Sequence, residues 1–190
     1  MSDFVFIRHG QSTWNLEGRV QGQAHEPTLT DLGVTQSRAA AEKVRELGAT
    51  LLLSSDQVRA AQTAEIVAAA VALPVHYDEK LREHDHGNLT GLTTDEALHA
   101  WGSDPSAPYD PDVIQGETGE SARQVGERLV EVLGSAETVS PDAPVIVVGH
   151  GSAIQIAIAL LMGEDLADMT WRGLENGDVA RTRDGRFELL

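Results

Sequence analysis

Residues 4–15 read FVFIRHGQSTWN and pass within a few positions from an apolar run to a cation and an imidazole. Residues 4–7 are apolar without interruption, which predicts a strand that is covered on both faces. Arg8, His9 and Gly10 follow directly at the carboxyl end of that strand. Ligands of open parallel sheets bind at this edge. We therefore expect the functional site to begin here.

The same transition follows two later apolar runs. Residues 51–53 are followed by two serines and then Arg59, and residues 145–148 are followed by a glycine, His150 and Gly151. Because the carboxyl ends of parallel strands share one edge, we expect these side chains to meet in one pocket. Guanidinium and imidazole donors, with glycines that leave backbone amides approachable, suit a tetrahedral oxyanion. Phosphate fits this pocket best.

Transfer of a bound phosphoryl group needs a nucleophile, and the chain has no cysteine. A histidine that is neutral at pH 7 can attack directly, and His9 is the best placed. The leaving oxygen then needs a proton from a nearby acid. Glu83 and Asp85, in the segment LREHDHG at residues 81–87, are the two candidates. Because neutral His9 and a protonated acid are both required, we expect a bell-shaped rate profile on the acidic to neutral side.

Composition narrows the class of protein. The chain has 190 residues, with 14 Lys and Arg against 30 Asp and Glu, a formal net charge of −16. The length predicts one domain over residues 1–190. The negative charge repels nucleic acid and anionic membranes, and no apolar run approaches the roughly 20 residues of a membrane span. With no secretory signal and no cysteine, we expect a cytoplasmic protein. The sequence leaves open whether it is a homodimer.

Short aliphatic runs alternate with longer alanine-rich segments, as in βαβ units around a mostly parallel sheet. The expected strands are residues 4–7, 51–53, 75–77 and 145–148, and a hairpin spans residues 179–189. The expected helices are a segment from the cap Thr30 to the stop Gly48 and residues 57–73, 121–133 and 153–162. In the first of these helices the spacing predicts that Leu32, Ala40, Val44 and Leu47 face inward. Residues 102–119 contain three prolines and are expected to form an irregular loop that, with residues 87–91, determines substrate specificity.

The opening motif and several later sequence blocks closely resemble the histidine phosphatase superfamily. This superfamily contains cofactor-dependent phosphoglycerate mutases and many small phosphatases. The opening FVFIRHGQSTWN carries most of the resemblance. Further blocks follow in the right order: GRVQG at 18–22, LTDLGVTQSRAA at 29–40, SSDQVRAAQTA at 54–64, GES at 119–121 and VVGHG at 147–151. The resemblance implies a three-layer α/β/α sandwich with a mostly parallel central sheet. It also implies an enzyme that needs no metal ion. We expect no cofactor, and the length of 190 residues favours a hydrolase over a mutase.

The resemblance assigns roles to individual residues. His9 resembles the nucleophile that becomes a phosphohistidine, and Glu83 resembles the proton donor that later activates water. The residues that the resemblance or the strand ends place in the phosphate pocket are Arg8, Arg59 and His150, with Gly151, Asn15 and Gln21 lining it. The expected substrate is a small phosphorylated metabolite, and the expected product is inorganic phosphate.

Three alternatives stay open. A phosphoglycerate mutase would pass the phosphoryl group to a second acceptor, but such enzymes resemble longer chains with enclosing insertions. A binding module would hold phosphorylated ligands without turnover, and would lack the nucleophile or the acid. Metal-dependent hydrolysis would need ligands such as His84, Asp85 and His86, of which at most two converge on an extended chain. Many relatives carry Trp and Glu before the glycine of residues 89–91, where this chain has Leu-Thr-Gly.

Overall fold

The computed structural model describes residues 3–101 and 109–190. Its strands are β1 (Asp3–Arg8), β2 (Leu51–Ser54), β3 (Val75–Tyr77), β4 (Val145–Gly149), β5 (Val179–Arg183) and β6 (Arg186–Leu189). They form one sheet in the order β3-β2-β4-β1-β5-β6. The first four strands of this order pair in parallel, and β5 and β6 pair antiparallel at one side. The mostly parallel sheet is confirmed.

Helices cover both faces of the sheet. The α-helices of the described ranges are α1 (Thr13–Leu16), α2 (Asp31–Val44), α3 (Val58–Val71), α4 (Thr94–Trp101), α5 (Ala122–Val139) and α6 (Gly151–Leu161), of which α2, α3, α5 and α6 pack on the sheet. Because side chains alternate along a strand, Phe4 and Phe6 belong to the core under α5 and α6, whereas Val5 and Ile7 belong to the core under α2 and α3. This gives the three-layer α/β/α arrangement that the sequence predicts.

The expected strands and the hairpin are present. Asp184 and Gly185 form the hairpin turn with φ of 52° and 68°, the left-handed region that a tight two-residue turn requires. All four predicted helices are present and differ at their ends. The helix expected from Thr30 to Gly48 ends at Val44, and the one expected at 57–73 spans Val58–Val71. The helix expected at 121–133 continues to Val139, and the one expected from residue 153 begins at Gly151, directly after the β4 strand end.

The expected inward face of α2 is partly wrong, because Leu32 is exposed. The buried positions include Gly33 and Ser37 instead, together with Ala40 and Val44 as expected. A side chain on Gly33 would come within 2.1 Å of the Gln11 carbonyl oxygen. Small residues therefore face the sheet where α2 approaches the chain after β1, and the large leucine is turned to solvent.

Two short helices, α1 and α4, are absent from the sequence prediction. Of the loop expected over residues 102–119, residues 109–119 contain no strand or helix, and residues 102–108 lie outside the described residues. Across the parts of the chain that are described, no helix combines the length and the apolar character needed to span a bilayer.

Candidate active site

His9 lies directly after β1, at the carboxyl edge of the sheet. Its ring is buried, and its Nδ1 lies 2.7 Å from the carbonyl oxygen of Gly10. Since a carbonyl only accepts, the neutral ring carries its proton on Nδ1 and its lone pair on Nε2. The Nε–H of Arg59 donates to this Nε2 at 3.2 Å, as that tautomer requires. Nε2 is therefore the ring nitrogen that carries a lone pair.

Burial and neighbouring cations favour the neutral form of His9. Burial is the largest cause that lowers its pKa well below the ordinary 6.5, and the guanidiniums of Arg59 and Arg8 lower it further. The hydrogen bond to Gly10 acts in the opposite direction and is outweighed. A neutral imidazole has a lone pair with which to attack phosphorus, whereas an imidazolium has none.

The backbone around His9 is fixed by distant elements. Asn176 Nδ2 donates to the carbonyl of His9 at 3.0 Å, and the N–H of Gly10 donates to Thr63 Oγ1 at 3.2 Å. A side chain on Gly10 would come within 2.2 Å of the Gly33 carbonyl oxygen, so only glycine fits there. The histidine ring is therefore attached to backbone that is tightly held.

Arg59, the second residue of α3, is fully buried at the same edge. Its Nη1 donates to the carbonyl of Ala24 at 2.9 Å, and its Nη2 donates to that of Gly22 at 3.0 Å. Burial lowers its pKa to about 10, partly opposed by the nearby Glu83 carboxylate, so the group stays charged at pH 7. A cation in the first turn of a helix needs an anion to offset the helix dipole. A bound phosphate would supply that anion.

Three buried polar atoms near His9 have no hydrogen-bond partner among the described residues: Nδ1 and Nε2 of His150 and Nε of Arg8. The centroid of the His150 ring lies 5.2 Å from that of His9. A side chain on Gly151 would come within 3.3 Å of the Arg8 guanidinium carbon, which places Arg8 against the start of α6. Buried polar atoms are rarely unpaired. A tetrahedral oxyanion bound beside His9 would accept hydrogen bonds from the unpaired N–H groups of Arg8 and His150.

The Glu83 carboxylate lies at the N-terminus of α6. Its Oε1 accepts from the N–H groups of Ala153 and His84, both at 2.9 Å, and its Oε2 accepts from that of Ser152 at 3.2 Å. Because α6 begins directly after His150, the carboxylate lies at the same edge as the imidazoles. The structure therefore brings Glu83 together with the other predicted site residues.

An ion pair between Arg128 and Glu120 holds the segment that carries Glu83. Arg128 Nη1 donates to the carbonyls of Lys80 and Arg82 at 2.6 and 2.7 Å, and its Nη2 donates to that of Glu83 at 3.0 Å. Arg128 Nε pairs with Glu120 Oε1 at 2.9 Å. These bonds fix three carbonyls of one short segment, so the backbone of Glu83 has little freedom to move.

Asn15 and Gln21 meet at the hydroxyl of Ser12. Ser12 Oγ lies 2.9 Å from Asn15 Oδ1 and 2.8 Å from Gln21 Oε1. Asn176 Nδ2 donates to Asn15 Oδ1 at 3.3 Å and also holds the carbonyl of His9. With these carboxamide oxygens engaged, the carboxamide nitrogens of Asn15 and Gln21 are the groups that could bind a phosphate oxygen.

The residues that follow Glu83 make contacts that stabilise the loop in which they lie. Asp85 Oδ1 accepts from the N–H of Gly87 at 2.9 Å. The rings of His84 and His86 stack with their centroids 5.1 Å apart, and His84 Nε2 lies 2.7 Å from the Glu120 carbonyl oxygen. Within residues 3–101 and 109–190, no group of three or more His, Asp or Glu is placed to hold a metal ion.

A cavity of about 240 Å³ opens beside Glu83, and we call it the side cavity. Gln21 and Glu83 line it next to the predicted phosphate pocket, while Leu89, Gln115 and the α4 helix form its other walls. The two segments expected to determine specificity, residues 87–91 and 102–119, each contribute one of these walls. The α4 wall was not foreseen because the sequence pattern predicts no helix there.

Gln57 is a further supporting residue that the sequence did not reveal. Its Oε1 accepts from the N–H of Glu83 at 2.8 Å, and its Nε2 donates to the carbonyl of Gly22 at 3.0 Å. It thus links the Glu83 segment to the backbone that Arg59 also holds. Gln57 and Glu83 are 26 residues apart in sequence, so no local pattern could mark the pair. The same is true of Asn176 and Arg128.

We expect the free energy of unfolding to fall as the pH is lowered from about 6.5, in phosphate-free buffer. Burial lowers the pKa of His9, His84 and His150, so below 6.5 the unfolded chain binds protons that the folded chain does not. Each such group contributes a slope of about 1.4 kcal/mol per pH unit until its folded pKa is reached. Urea denaturation between pH 7.5 and 5 measures the slope.

In that measurement, His150→Gln should lower the slope of unfolding free energy against pH by the contribution of about one proton. His76→Gln, at an exposed histidine, should leave this slope unchanged. An identical slope in wild type and His150→Gln would show that His150 titrates alike in the folded and unfolded chains. That result would contradict its burial as a neutral ring.

Comparison with known proteins gives a consistent set of relatives. A family model described as the histidine phosphatase superfamily (branch 1) matches residues 4–188. "Probable phosphoglycerate mutase GpmB" of Salmonella paratyphi C is 32% identical over 166 residues, which are 86% of this chain and 76% of that protein.

Solved structures are similar over the whole chain. Mycobacterial glucosyl-3-phosphoglycerate phosphatase, in complex with VO3, is 29% identical with a TM-score of 0.86, covering 100% of this chain and 97% of that one. The Bacillus stearothermophilus protein YhfR is 26% identical with a TM-score of 0.82, covering 100% and 95% of the two chains. The relatives thus include a protein named as a mutase and one named as a phosphatase.

Proposed function

The chain belongs to the histidine phosphatase superfamily, and from this premise we propose that it is a metal-independent phosphomonoesterase acting through a phosphohistidine on His9. The observation that carries the proposal is the placement of the His9 ring, whose Nδ1 lies against the Gly10 carbonyl and whose Nε2 faces the Arg59 guanidinium. The solved relative named as a phosphatase, which this chain matches over 97% of its length, supports hydrolysis over transfer. The lack of cysteine fits action in a reducing cytoplasm.

In the first step, His9 Nε2 attacks the phosphorus and the bond between phosphorus and the ester oxygen breaks. Arg8, Arg59 and His150 bind the remaining phosphoryl oxygens and stabilise the charge on them. The leaving oxygen takes a proton from Glu83. A phosphate dianion and a carboxylate repel each other, so the bound substrate favours a proton located between the ester phosphate and the Glu83 carboxyl group.

In the second step, water attacks the phosphohistidine. The Glu83 carboxylate takes a proton from this water, the bond between nitrogen and phosphorus breaks, and the lone pair returns to Nε2. Inorganic phosphate leaves, and the enzyme is restored with its acid protonated. Each step forms one bond to phosphorus, breaks another and moves one proton, so the reaction balances with the chain's own side chains and one water molecule.

The two superfamily reactions differ in the fate of the phosphoryl group. With an aryl phosphate and with a panel of phosphorylated metabolites, we expect one inorganic phosphate to be released for each ester consumed. Phosphorus NMR measures this release. Exchange between phosphoglycerate isomers without release of inorganic phosphate would establish a mutase instead. Tight phosphate binding without turnover of any ester would establish a binding module.

The same assay tests metal independence. Prolonged treatment with a chelator should leave the rate of phosphate release unchanged, because the proposed charge stabilisation comes from guanidinium and imidazole groups. Loss of the rate on chelation, restored by a divalent cation, would contradict this part of the proposal.

A further inference from the structure

The side cavity is the space into which the leaving group of a bound phosphate ester would extend. Glu83 lines the cavity at one end and would protonate the ester oxygen, so the carbon skeleton attached to that oxygen must pass this carboxylate. The phosphoryl group itself is directed to Arg8, Arg59 and His150, none of which lines the side cavity. The lining of the side cavity therefore bears on which alcohols the enzyme releases, provided that the proposed hydrolysis is correct.

Much of that lining is apolar. Leu89 and Ala97 are buried in its wall, and Leu98 and Trp101 on the α4 helix are large hydrophobic side chains with 58% and 36% of their surface exposed. Exposed apolar side chains beside an active site are covered when a ligand binds. Trp101 also offers an aromatic face for stacking. These walls favour alkyl or aryl carbon.

The charge of the side-cavity lining also favours uncharged leaving groups. None of the 14 Lys and Arg lines it, and neither residues 1–2 nor residues 102–108 contain any. Arg19 is adjacent in sequence to the lining, but its guanidinium pairs with Glu17 at 2.7 Å and with the Gly91 carbonyl at 2.8 Å. His86 is the only basic side chain of the lining, and it stacks on His84. A second anion of the substrate would find the Glu83 carboxyl group and, within the described lining, no guanidinium or ammonium partner.

We propose that this enzyme prefers phosphomonoesters of uncharged, partly apolar alcohols and discriminates against leaving groups that carry a carboxylate. Burying an unpaired carboxylate beside Glu83 is costly, whereas apolar carbon gains from contact with Leu89, Leu98 and Trp101. Neutral polar groups on the alcohol can be met by Gln21 and Gln115. This preference differs from what the names of the relatives suggest, since a phosphoglycerate carries a carboxylate.

A matched pair of substrates tests the preference. The esters 4-carbamoylphenyl phosphate and 4-carboxyphenyl phosphate have nearly the same size, and only the second has an extra negative charge. We expect kcat/KM to be about tenfold or more higher for the carbamoyl ester. The assay is run at high ionic strength, where repulsion from the net charge of −16 is screened. The two phenols also differ in pKa as leaving groups, but this difference is the same for every variant, so a change of the ratio in the Leu98 variants reports the local surroundings.

Charge changes at Leu98 test whether the side cavity is responsible. Leu98→Lys should narrow the difference between the two esters to about threefold or less, and Leu98→Glu should widen it. Val139→Lys is the matched control, because Val139 is exposed at the end of α5, next to Ser140 and Thr50 at the opposite edge of the sheet. This control should leave the ratio at its wild-type value.

The outcomes separate this inference from the proposed function. Equal or faster hydrolysis of the carboxylate ester by wild type would overturn the substrate preference while leaving the hydrolase intact. An unchanged ratio in Leu98→Glu would show that another surface discriminates. Failure to release phosphate from either ester would instead count against the hydrolase itself. Should Leu98→Lys not fold, the wild-type ratio and Leu98→Glu still decide.

Discussion

Replacing His9 with alanine is expected to lower the turnover of an aryl phosphate by roughly 10⁴-fold or more. The substitution removes the attacking Nε2, and the chain has no cysteine that could act in its place. Steady-state release of nitrophenol from 4-nitrophenyl phosphate measures the effect. Inorganic phosphate should still bind, because Arg8, Arg59 and His150 are unchanged.

Two comparisons make the His9 result interpretable. His76→Ala, at an exposed histidine of β3, should retain wild-type turnover and thus exclude a general effect of losing an imidazole. His9→Gln, which fills more of the buried space, should be as inactive as His9→Ala. Turnover within tenfold of wild type in both His9 variants would contradict the assignment of the nucleophile.

Replacing Glu83 with glutamine is expected to act differently on two kinds of ester. An alkyl phosphate has a poor leaving group that needs a proton, so its turnover should fall by roughly 10²- to 10⁴-fold. With 4-nitrophenyl phosphate the leaving oxygen needs little protonation, but hydrolysis of the phosphohistidine still lacks the base that would activate water. A burst of one nitrophenol per enzyme should therefore precede slow turnover, as followed by stopped-flow absorbance.

The control for this variant is Glu79→Gln, in the same segment but with a largely exposed side chain. It should show wild-type rates on both esters and no burst. An equal loss on both esters in Glu83→Gln, without a burst, would indicate that Glu83 only maintains the structure at the start of α6. In that case the proton donor would have to be sought elsewhere.

Local sequence patterns predict the edge of the sheet at which the candidate site residues lie. Apolar runs mark buried strands, and His9 and His150 directly follow two of them, so their positions depend on local patterns alone. The pairing of β1 with β4 then brings the two strand ends side by side, with Arg8 opposite Gly149. The α/β class and the parallel sheet follow from the same local signals.

The contacts that position Glu83 could not be predicted in this way. Arg128 and Gln57 reach its segment from helices that are remote in sequence, and a charged residue on a helix normally indicates a solvated face. The side cavity was missed for a related reason. It depends on α4, a helix of eight residues whose apolar side chains are partly exposed, so that no inward face is visible in the pattern.

The most direct test of the whole account is to find where the phosphoryl group goes. Glu83→Gln would be mixed with a substrate carrying a labelled phosphoryl group, quenched in alkali and digested, and the labelled peptide sequenced by mass spectrometry. We predict one phosphoryl group per chain on Nε2 of His9, stable in alkali and lost in acid. Label on another residue, or the same label in a chain that also carries His9→Ala, would contradict the account.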